Sequence, residues 1–238
     1  KKHAVKFSEI LSGGPPKDGI PAIDNPAFVA LGEITHIADT EPVIGVSLNG
    51  DMRAYPLQIL MWHEIVNDVV GEVPITVTFC PLCNTAVVFD RRVGDKVLDF
   101  GTTGKLRNSD LVMYDRQTET WWQQFLGEGI IGELTGTVLE VIPARLESFE
   151  KFKARAGASA KVLVPNSKFR RAYGANPYVG YDSRAIGLVF VIEGVIYSLF
   201  PNGMKRMMMV ALTLPSSRLR SVGLTMALVG FAVVWLVR

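Results

Sequence analysis

The chain is predicted to be an α+β protein, with a mainly antiparallel β soluble domain that contains one or two helices, followed by a C-terminal transmembrane helical hairpin. Two observations predict the β domain. An Asn-Gly turn at Asn49 and Gly50 separates two β-rich runs, and a Cys-Pro-Leu-Cys turn at 80–83 separates two more. Two long apolar runs near the C-terminus predict the hairpin. We therefore expect an exported soluble domain over residues 1–184 and a membrane hairpin over residues 185–238.

The other elements of the predicted domain follow from apolar spacing and turn residues. After the hairpin at 42–55, Pro56 begins a predicted helix that continues to Val70, because apolar side chains recur there at helical spacing. This helix carries His63, Glu64, Asn67 and Asp68. The later elements are strands at 97–100, 111–114, 129–131 and 138–142 in a compact sheet, an amphipathic helix at 146–156, and extended chain at 166–183.

The membrane hairpin is predicted from two runs, 185–200 and 221–237, that are apolar on all faces. As helices they reach about 24–26 Å, the lower limit for spanning a hydrocarbon core of about 30 Å. The segment between them carries basic residues and no acid, which places it in the cytoplasm. Residues 1–184 then lie on the periplasmic or extracellular side, and the lipid bilayer is an expected partner. The basic residues are Lys205, Arg206, Arg218 and Arg220.

Composition argues against a nucleic-acid partner. The formal net charge is +2, from 25 basic and 23 acidic residues, which is too small to attract a polyanion. No basic stripe interleaved with aromatic residues is visible along the chain. We therefore expect no nucleic-acid binding.

The cysteine turn predicts a transition-metal site. Cys80 and Cys83 are the two cysteines of the chain, and together with the imidazole of His63 they suit copper(I) or zinc(II). Glu64 or Asp68 would be a further ligand or a hydrogen-bond partner of a ligand. The second half of a zinc ribbon is absent, so four thiolates cannot come from one chain. The fourth position would be a carboxylate, a water or open.

Other interpretations of the same residues stay open. His63 could hydrogen-bond within the core, with Glu64 and Asp68 in structural roles. The cysteines could instead cycle between thiol and disulfide in an oxidising compartment. A permanent disulfide could also close the turn of a non-catalytic interaction module for a membrane protein complex. No pattern in the sequence assigns a reaction or a small-molecule ligand.

Five further polar residues are secondary site candidates. One of them, Asn67, shares a face of the predicted helix with His63. Glu64 and Asp68 share another face, about 100° away. The other four form two Asp-Arg pairs that follow apolar runs, and structural ion pairing is their default interpretation. The five are Asn67, Asp90, Arg91, Asp115 and Arg116.

Several unusual strings resemble an exported bacterial family whose domain has no known function. They lie at 63–68, 80–85, 88–91, 113–116 and 176–182, and the resemblance covers about residues 7–183. Residues 185–238 are similar to the YjeT-like family of small inner-membrane proteins, which is also uncharacterised. The two resemblances imply a bacterial inner-membrane location, with the soluble domain facing the periplasm or the cell exterior. Neither implies a substrate.

Overall fold

The computed structural model describes residues 2–157, 159–165 and 168–179, and over these residues the protein is mainly antiparallel β with two α-helices. Helix α1 is Leu57–His63 and helix α2 is Phe149–Arg155. The strands are β1 (Ile10–Ser12), β2 (Ala27–Ala30), β3 (Pro42–Leu48), β4 (Asp51–Pro56), β5 (Ile65–Val70), β6 (Val73–Cys80), β7 (Thr85–Asp90), β8 (Arg92–Val93), β9 (Lys96–Val97), β10 (Phe100–Arg107), β11 (Asp110–Asp115), β12 (Trp121–Gln123), β13 (Glu128–Ile131), β14 (Val141–Ile142), β15 (Ala144–Ser148) and β16 (Lys161–Val164).

The strands form three main sheets, where the sequence predicted one. Sheet 1 has the order β15-β3-β4-β16-β2, and its β16–β4 pair is parallel. Sheet 2 has the order β14-β7-β6-β5, and sheet 3 has the order β1-β10-β11-β12-β13. Strands β8 and β9 form a separate two-stranded ribbon.

Sheet 2 lies between the other two sheets and is buried on both faces. Successive side chains of β5 point to opposite faces, so Val66 packs with Tyr55 of sheet 1, whereas Ile65 packs with Phe100 and Trp122 of sheet 3. Helix α2 covers the outer face of sheet 1, where Phe149 and Phe152 are buried against Val43, Ala54 and Val162. The cysteine turn joins two strands of sheet 2, and Cys80, Leu82 and Cys83 pack into the core between sheets 2 and 3.

Both predicted hairpins are confirmed. Strands β3 and β4 pair in antiparallel register around Asn49 and Gly50, which have φ angles of 49° and 83°. These positive angles are those of a tight hairpin turn, and Asn and Gly tolerate them better than other residues. Strands β6 and β7 pair around the cysteine turn in the same way, from Ile75 opposite Asp90 to Cys80 opposite Thr85.

The predicted helix from Pro56 to Val70 is wrong in its second half. Helix α1 ends at His63, Glu64 follows with φ of 59°, and the chain continues as β5. The apolar spacing at 65–70 suits a helix and a doubly buried strand alike, and its β-branched residues favour the strand. Full pairing of β5 with β6 decides the outcome.

The second predicted helix begins later than expected. Residues 144–148 form β15, and α2 begins after Ser148, whose hydroxyl accepts a hydrogen bond from the backbone N–H of Lys151. The predicted membrane hairpin at 185–238 and the predicted domain boundary lie outside the described residues. Within the described ranges, no helix is long and apolar enough to cross a membrane.

Candidate metal centre

The cysteine turn holds two free thiols at the end of sheet 2. Cys80 is the last residue of β6 and is buried, whereas Cys83 lies in the turn and is half-buried. Asn84 has a φ of 50°, and the Thr85 hydroxyl donates to the Cys83 carbonyl over 3.0 Å. This local bonding holds the turn and brings both sulfur atoms to the same side.

Asp110 provides a third ligand atom beside the two thiols. It begins β11, after a tight turn in which Asn108 and Ser109 have φ angles of 54° and 62°. The Cys83 thiol lies 3.5 Å from Asp110 Oδ1, and the two sulfur atoms and a carboxylate oxygen of Asp110 all lie within 4.8 Å of one another. The three residues could therefore hold a metal ion.

The distance between the Cys83 sulfur and the Asp110 carboxylate fits a tetrahedral ion. Zinc binds sulfur at about 2.3 Å and carboxylate oxygen at about 2.0–2.2 Å, which puts a sulfur and an oxygen ligand about 3.6 Å apart. The 3.5 Å between the Cys83 sulfur and Asp110 Oδ1 is close to this value. A metal would thus bind with little movement of these two side chains, and three protein ligands would leave one position open.

Burial raises the pKa of two of the three candidate ligand side chains. It raises the pKa of the Cys80 thiol, and the backbone N–H groups of Cys83 and Leu111 offset this only in part. Burial also raises the pKa of Asp110, against hydrogen bonds from the backbone N–H of Phe125 and from Cys83. A bound cation reverses this balance, because it favours the deprotonated form of each ligand.

The structure gives His63 partners other than a metal. Its Nδ1 donates to the Pro21 carbonyl over 2.7 Å, and its Nε2 accepts from the Tyr173 hydroxyl at 2.8 Å. The side chain is fully buried, and this burial lowers the pKa of the imidazole. Both ring nitrogens are thus engaged, which differs from the predicted ligand set and matches the alternative of a core histidine.

Asp68 and Asn67 connect the sheets. Asp68 accepts two hydrogen bonds of 2.8 Å from Arg53 and one of 2.6 Å from Tyr55, and thus joins sheet 2 to sheet 1. Asn67 bonds the backbone N–H and carbonyl of Phe100 and thus joins sheet 2 to sheet 3. Because the two residues alternate along β5, they face opposite cores and not one ion.

The two Asp-Arg pairs have structural partners, as their default interpretation expects. Asp90 pairs with Arg92, and Arg91 bonds the carbonyl of Leu98 and the carboxylate of Asp99. The Trp122 indole and the Thr118 backbone N–H donate to Asp115, whereas Arg116 pairs with Asp24 at 2.7 Å. None of the four belongs to the cysteine group within the described residues.

Glu64 lies at a small cleft next to the cysteine turn. Its carboxyl is almost fully buried and accepts a hydrogen bond of 2.7 Å from the Tyr178 hydroxyl. Burial raises the pKa of Glu64 to about 7, although the Tyr178 hydrogen bond lowers it in part. The cleft has a volume of about 60 Å³. Its lining comprises Gly13, Pro15, Ile20, Glu64, Leu82, Gly104, Lys105, Leu106, Leu111 and Tyr178.

Asp110 and Tyr178 are the site residues that sequence reasoning missed as candidates. Asp110 lies 27 positions after Cys83, and Tyr178 lies 114 positions after Glu64, so no local spacing links either to the cysteines. One signal was available for Asp110, since it follows the turn-forming pair Asn108 and Ser109 between two β-rich runs. Among the described residues, the lining of a larger cavity of about 440 Å³ at Gly45 and Arg155 contains no comparable group of ligand atoms.

The fold and the site define a three-sheet β-rich domain with a cysteine and aspartate group suited to a metal. Residues 17–209 match the family described as a protein of unknown function, DUF3179, and the chain therefore belongs to this family. Residues 184–237 match a second family, an uncharacterised protein conserved in bacteria, DUF2065. The predicted resemblance to a domain of unknown function followed by a small-protein segment is confirmed. No curated protein and no solved structure matches the chain.

Proposed function

We propose that this protein binds a transition metal, zinc or copper, through Cys80, Cys83 and Asp110. The observation that carries the proposal is the convergence of two free thiols and a buried carboxyl within 4.8 Å. The predicted cysteine pair is retained in this ligand set, and Asp110 takes the place that the sequence assigned to His63.

The donor chemistry favours zinc(II) over copper(I). Copper(I) is satisfied by soft thiolates and gains little from a carboxylate, whereas zinc accepts both sulfur and carboxylate oxygen. Asp110 is positioned for such a role by the backbone N–H of Phe125, which donates to its Oδ2 over 3.0 Å and leaves Oδ1 towards Cys83. A hydrogen bond of this kind orients a ligand before the metal arrives.

Metal titration of the full chain tests this proposal. With Co²⁺ as a spectroscopic substitute for zinc, we expect one equivalent to bind and both thiols to become protected. Cys83→Ser is expected to weaken binding on the order of 100-fold, and Asp110→Asn roughly 10- to 100-fold, because each removes a ligand atom. His63→Gln is the matched control, and its Co²⁺ affinity should equal that of the unmodified chain.

Two results would contradict the proposal. One is an unmodified chain that binds neither Co²⁺, Zn²⁺ nor copper(I) with its thiols reduced. The other is unchanged affinity in Cys83→Ser, which would place any bound metal elsewhere. Loss of binding in a folded His63→Gln variant, with Asp110→Asn unaffected, would restore the ligand set predicted from the sequence.

Thiol-disulfide exchange is the second candidate function. It is favoured by the hydrogen bond of the Cys83 thiol to the buried carboxyl of Asp110, since a carboxylate there could accept the thiol proton. The two thiols would reduce one substrate disulfide and form a Cys80–Cys83 disulfide in exchange. A metal-free chain that reduces insulin, and an Asp110→Asn variant that does so more slowly, would replace the metal function with this one.

We also propose that residues 185–238 anchor the domain in the bacterial inner membrane, with the soluble domain facing outward. The apolar runs and the basic segment between them support this topology. Protease added to the outer face of spheroplasts is expected to digest the N-terminal domain. Digestion only after the cells are lysed would reject the proposed orientation.

A further inference from the structure

Glu64 stands beside the proposed metal centre without belonging to its ligand group. Glu64 is 6 % exposed, and the one described partner of its carboxyl is the Tyr178 hydroxyl. The cleft that it lines is also lined by Leu82, which lies between the two cysteines, and by Leu111, which follows Asp110 directly. The Glu64 carbonyl also accepts from Phe79, the residue before Cys80, so the cleft adjoins the chain segments that carry the metal ligands.

The backbone holds this carboxyl in an uncommon position. Glu64 has a φ of 59°, which is costly for a residue with a side chain. Its N–H donates to the Leu60 carbonyl over 2.7 Å, and its carbonyl accepts from the Phe79 N–H at 2.8 Å. The end of α1 and the start of sheet 2 therefore determine where the Glu64 side chain points.

We propose that Glu64, oriented by Tyr178, binds the fourth ligand of the metal, a small molecule that offers a lone pair to the ion and an N–H or O–H to the Glu64 carboxyl. This inference rests on the proposed metal function. Water is the smallest molecule of this class, and imidazole has the same two features. A group bound to a cation donates a stronger hydrogen bond, and a nearby carboxylate is its usual acceptor.

The size and lining of the cleft suit such a ligand. Its volume of about 60 Å³ is several times the roughly 10–15 Å³ that one ordered water requires. Most of its walls are apolar, so the polar groups that face a ligand are few. A second cleft of about 210 Å³, at Met61, Trp62 and Arg171, shares the lining residues Pro15, Ile20 and Tyr178 with the first. Tyr178 therefore lies between the two spaces.

Imidazole binding to the Co²⁺-loaded full chain tests the inference. At saturating Co²⁺, confirmed by the visible d–d bands, imidazole is titrated against the unmodified chain and against Glu64→Leu, which removes the carboxyl. We expect the imidazole dissociation constant to rise by roughly tenfold or more in the variant, because a hydrogen bond to a charged acceptor is lost. N-Methylimidazole keeps the lone pair but lacks the N–H, so its dissociation constant should change much less.

Tyr178→Phe is a second variant, in case Glu64→Leu does not fold. It removes the hydrogen bond that orients the Glu64 carboxyl and is therefore expected to weaken imidazole binding by a smaller factor. Tyr114→Phe is the matched control, because Tyr114 also donates to a carboxylate, that of Asp18, but does not line the cleft. Its imidazole affinity should equal that of the unmodified chain.

The outcomes separate this inference from the proposed function. If Co²⁺ binds and both variants keep their imidazole affinity within about twofold, a change within titration error on this scale, the inference is overturned and the metal site stands. If Glu64→Leu weakens the binding of imidazole and of N-methylimidazole equally, Glu64 shapes the cleft but does not accept the N–H, and the inference is again overturned. If the unmodified chain binds no metal, the proposed function fails and this inference fails with it.

Discussion

Asp68→Asn is expected to lower the free energy of unfolding by about 3 kcal/mol, because it removes one partner of a buried ion pair. Arg53 donates to both oxygens of Asp68 over 2.8 Å, and the pair connects sheet 1 to sheet 2. This loss of stability is at the lower end of the range for a broken buried ion pair, because Arg53 keeps its ion pair with Asp51. Urea unfolding followed by circular dichroism measures it.

The same variant tests whether Asp68 is a metal ligand. Asp68 already accepts hydrogen bonds from Arg53, Tyr55 and the backbone N–H of Val69, and it faces away from the cysteine group. We therefore expect Asp68→Asn to keep its Co²⁺ affinity at temperatures where it is folded. Loss of metal binding without loss of stability would contradict the placement of Asp68 and return it to the ligand set.

Asp39→Asn is the matched control for the stability measurement. Asp39 also pairs with a cation, Lys153, but its side chain is 59 % exposed. An exposed pair contributes about 0–1 kcal/mol, so the control is expected to unfold close to the unmodified chain. An equal loss of unfolding free energy in the two variants would show that burial does not make the Asp68 ion pair more stabilising than an exposed one.

Glu64→Gln is expected to make the metal-free protein more resistant to alkaline pH. The pKa of Glu64 is about 7 in the folded protein, because burial penalises the charged carboxylate, against an ordinary value of 4.5. The folded state therefore binds this proton more tightly than the unfolded state does. The resulting stability is fully present below pH 4.5 and is lost as the pH rises through 7.

The size of this effect follows from the shift in pKa. Each pKa unit corresponds to about 1.4 kcal/mol, so ionising Glu64 should cost about 3 kcal/mol of unfolding free energy by pH 8. Glutamine stays uncharged at every pH, so the variant does not lose this unfolding free energy as the pH rises. The unfolding free energy of Glu64→Gln relative to the unmodified chain should therefore rise by about 3 kcal/mol between pH 4.5 and pH 8.

Urea unfolding at a series of pH values measures this difference. His63 also titrates with a pKa lowered by burial, but it is present in both proteins and largely cancels in the comparison. Tyr178→Phe removes the hydrogen bond that lowers the pKa of Glu64, so it should move the transition to higher pH. Glu133→Gln, at an exposed position, is the control. A constant difference across the pH range for Glu64→Gln would contradict the burial of its carboxyl.

The segment from Trp62 to Asp68 illustrates why local pattern predicted the site only in part. Its apolar spacing fits a helix, and on a helix His63, Glu64, Asn67 and Asp68 fall into two pairs. In the structure α1 ends at His63 and β5 begins at Ile65, so the four side chains go to four different partners. The choice between helix and strand depends on β6, which supplies the pairing for β5 and is not visible in a local window.

The cysteine turn illustrates the opposite case. Two β-rich runs with a short turn between them predict a hairpin, and β6 and β7 form it with Cys80 opposite Thr85. In this turn the two sulfur atoms lie within 4.8 Å of each other. The proposed presence of a metal at the cysteines therefore needed no knowledge of the rest of the chain.

Short stretches of sequence were enough to predict the two hairpins and the cysteine pair, because each is encoded by residues that are close along the chain, and several such stretches together identified the family. Contacts between residues far apart along the chain bring Asp110 to the cysteines, Tyr178 to Glu64 and His63 into the core. These contacts form when sheet 3 and residues 168–179 pack against sheet 2. Burial of apolar surface drives this packing. Because the hydrophobic effect is non-directional, a local sequence pattern does not predict which distant residues will meet.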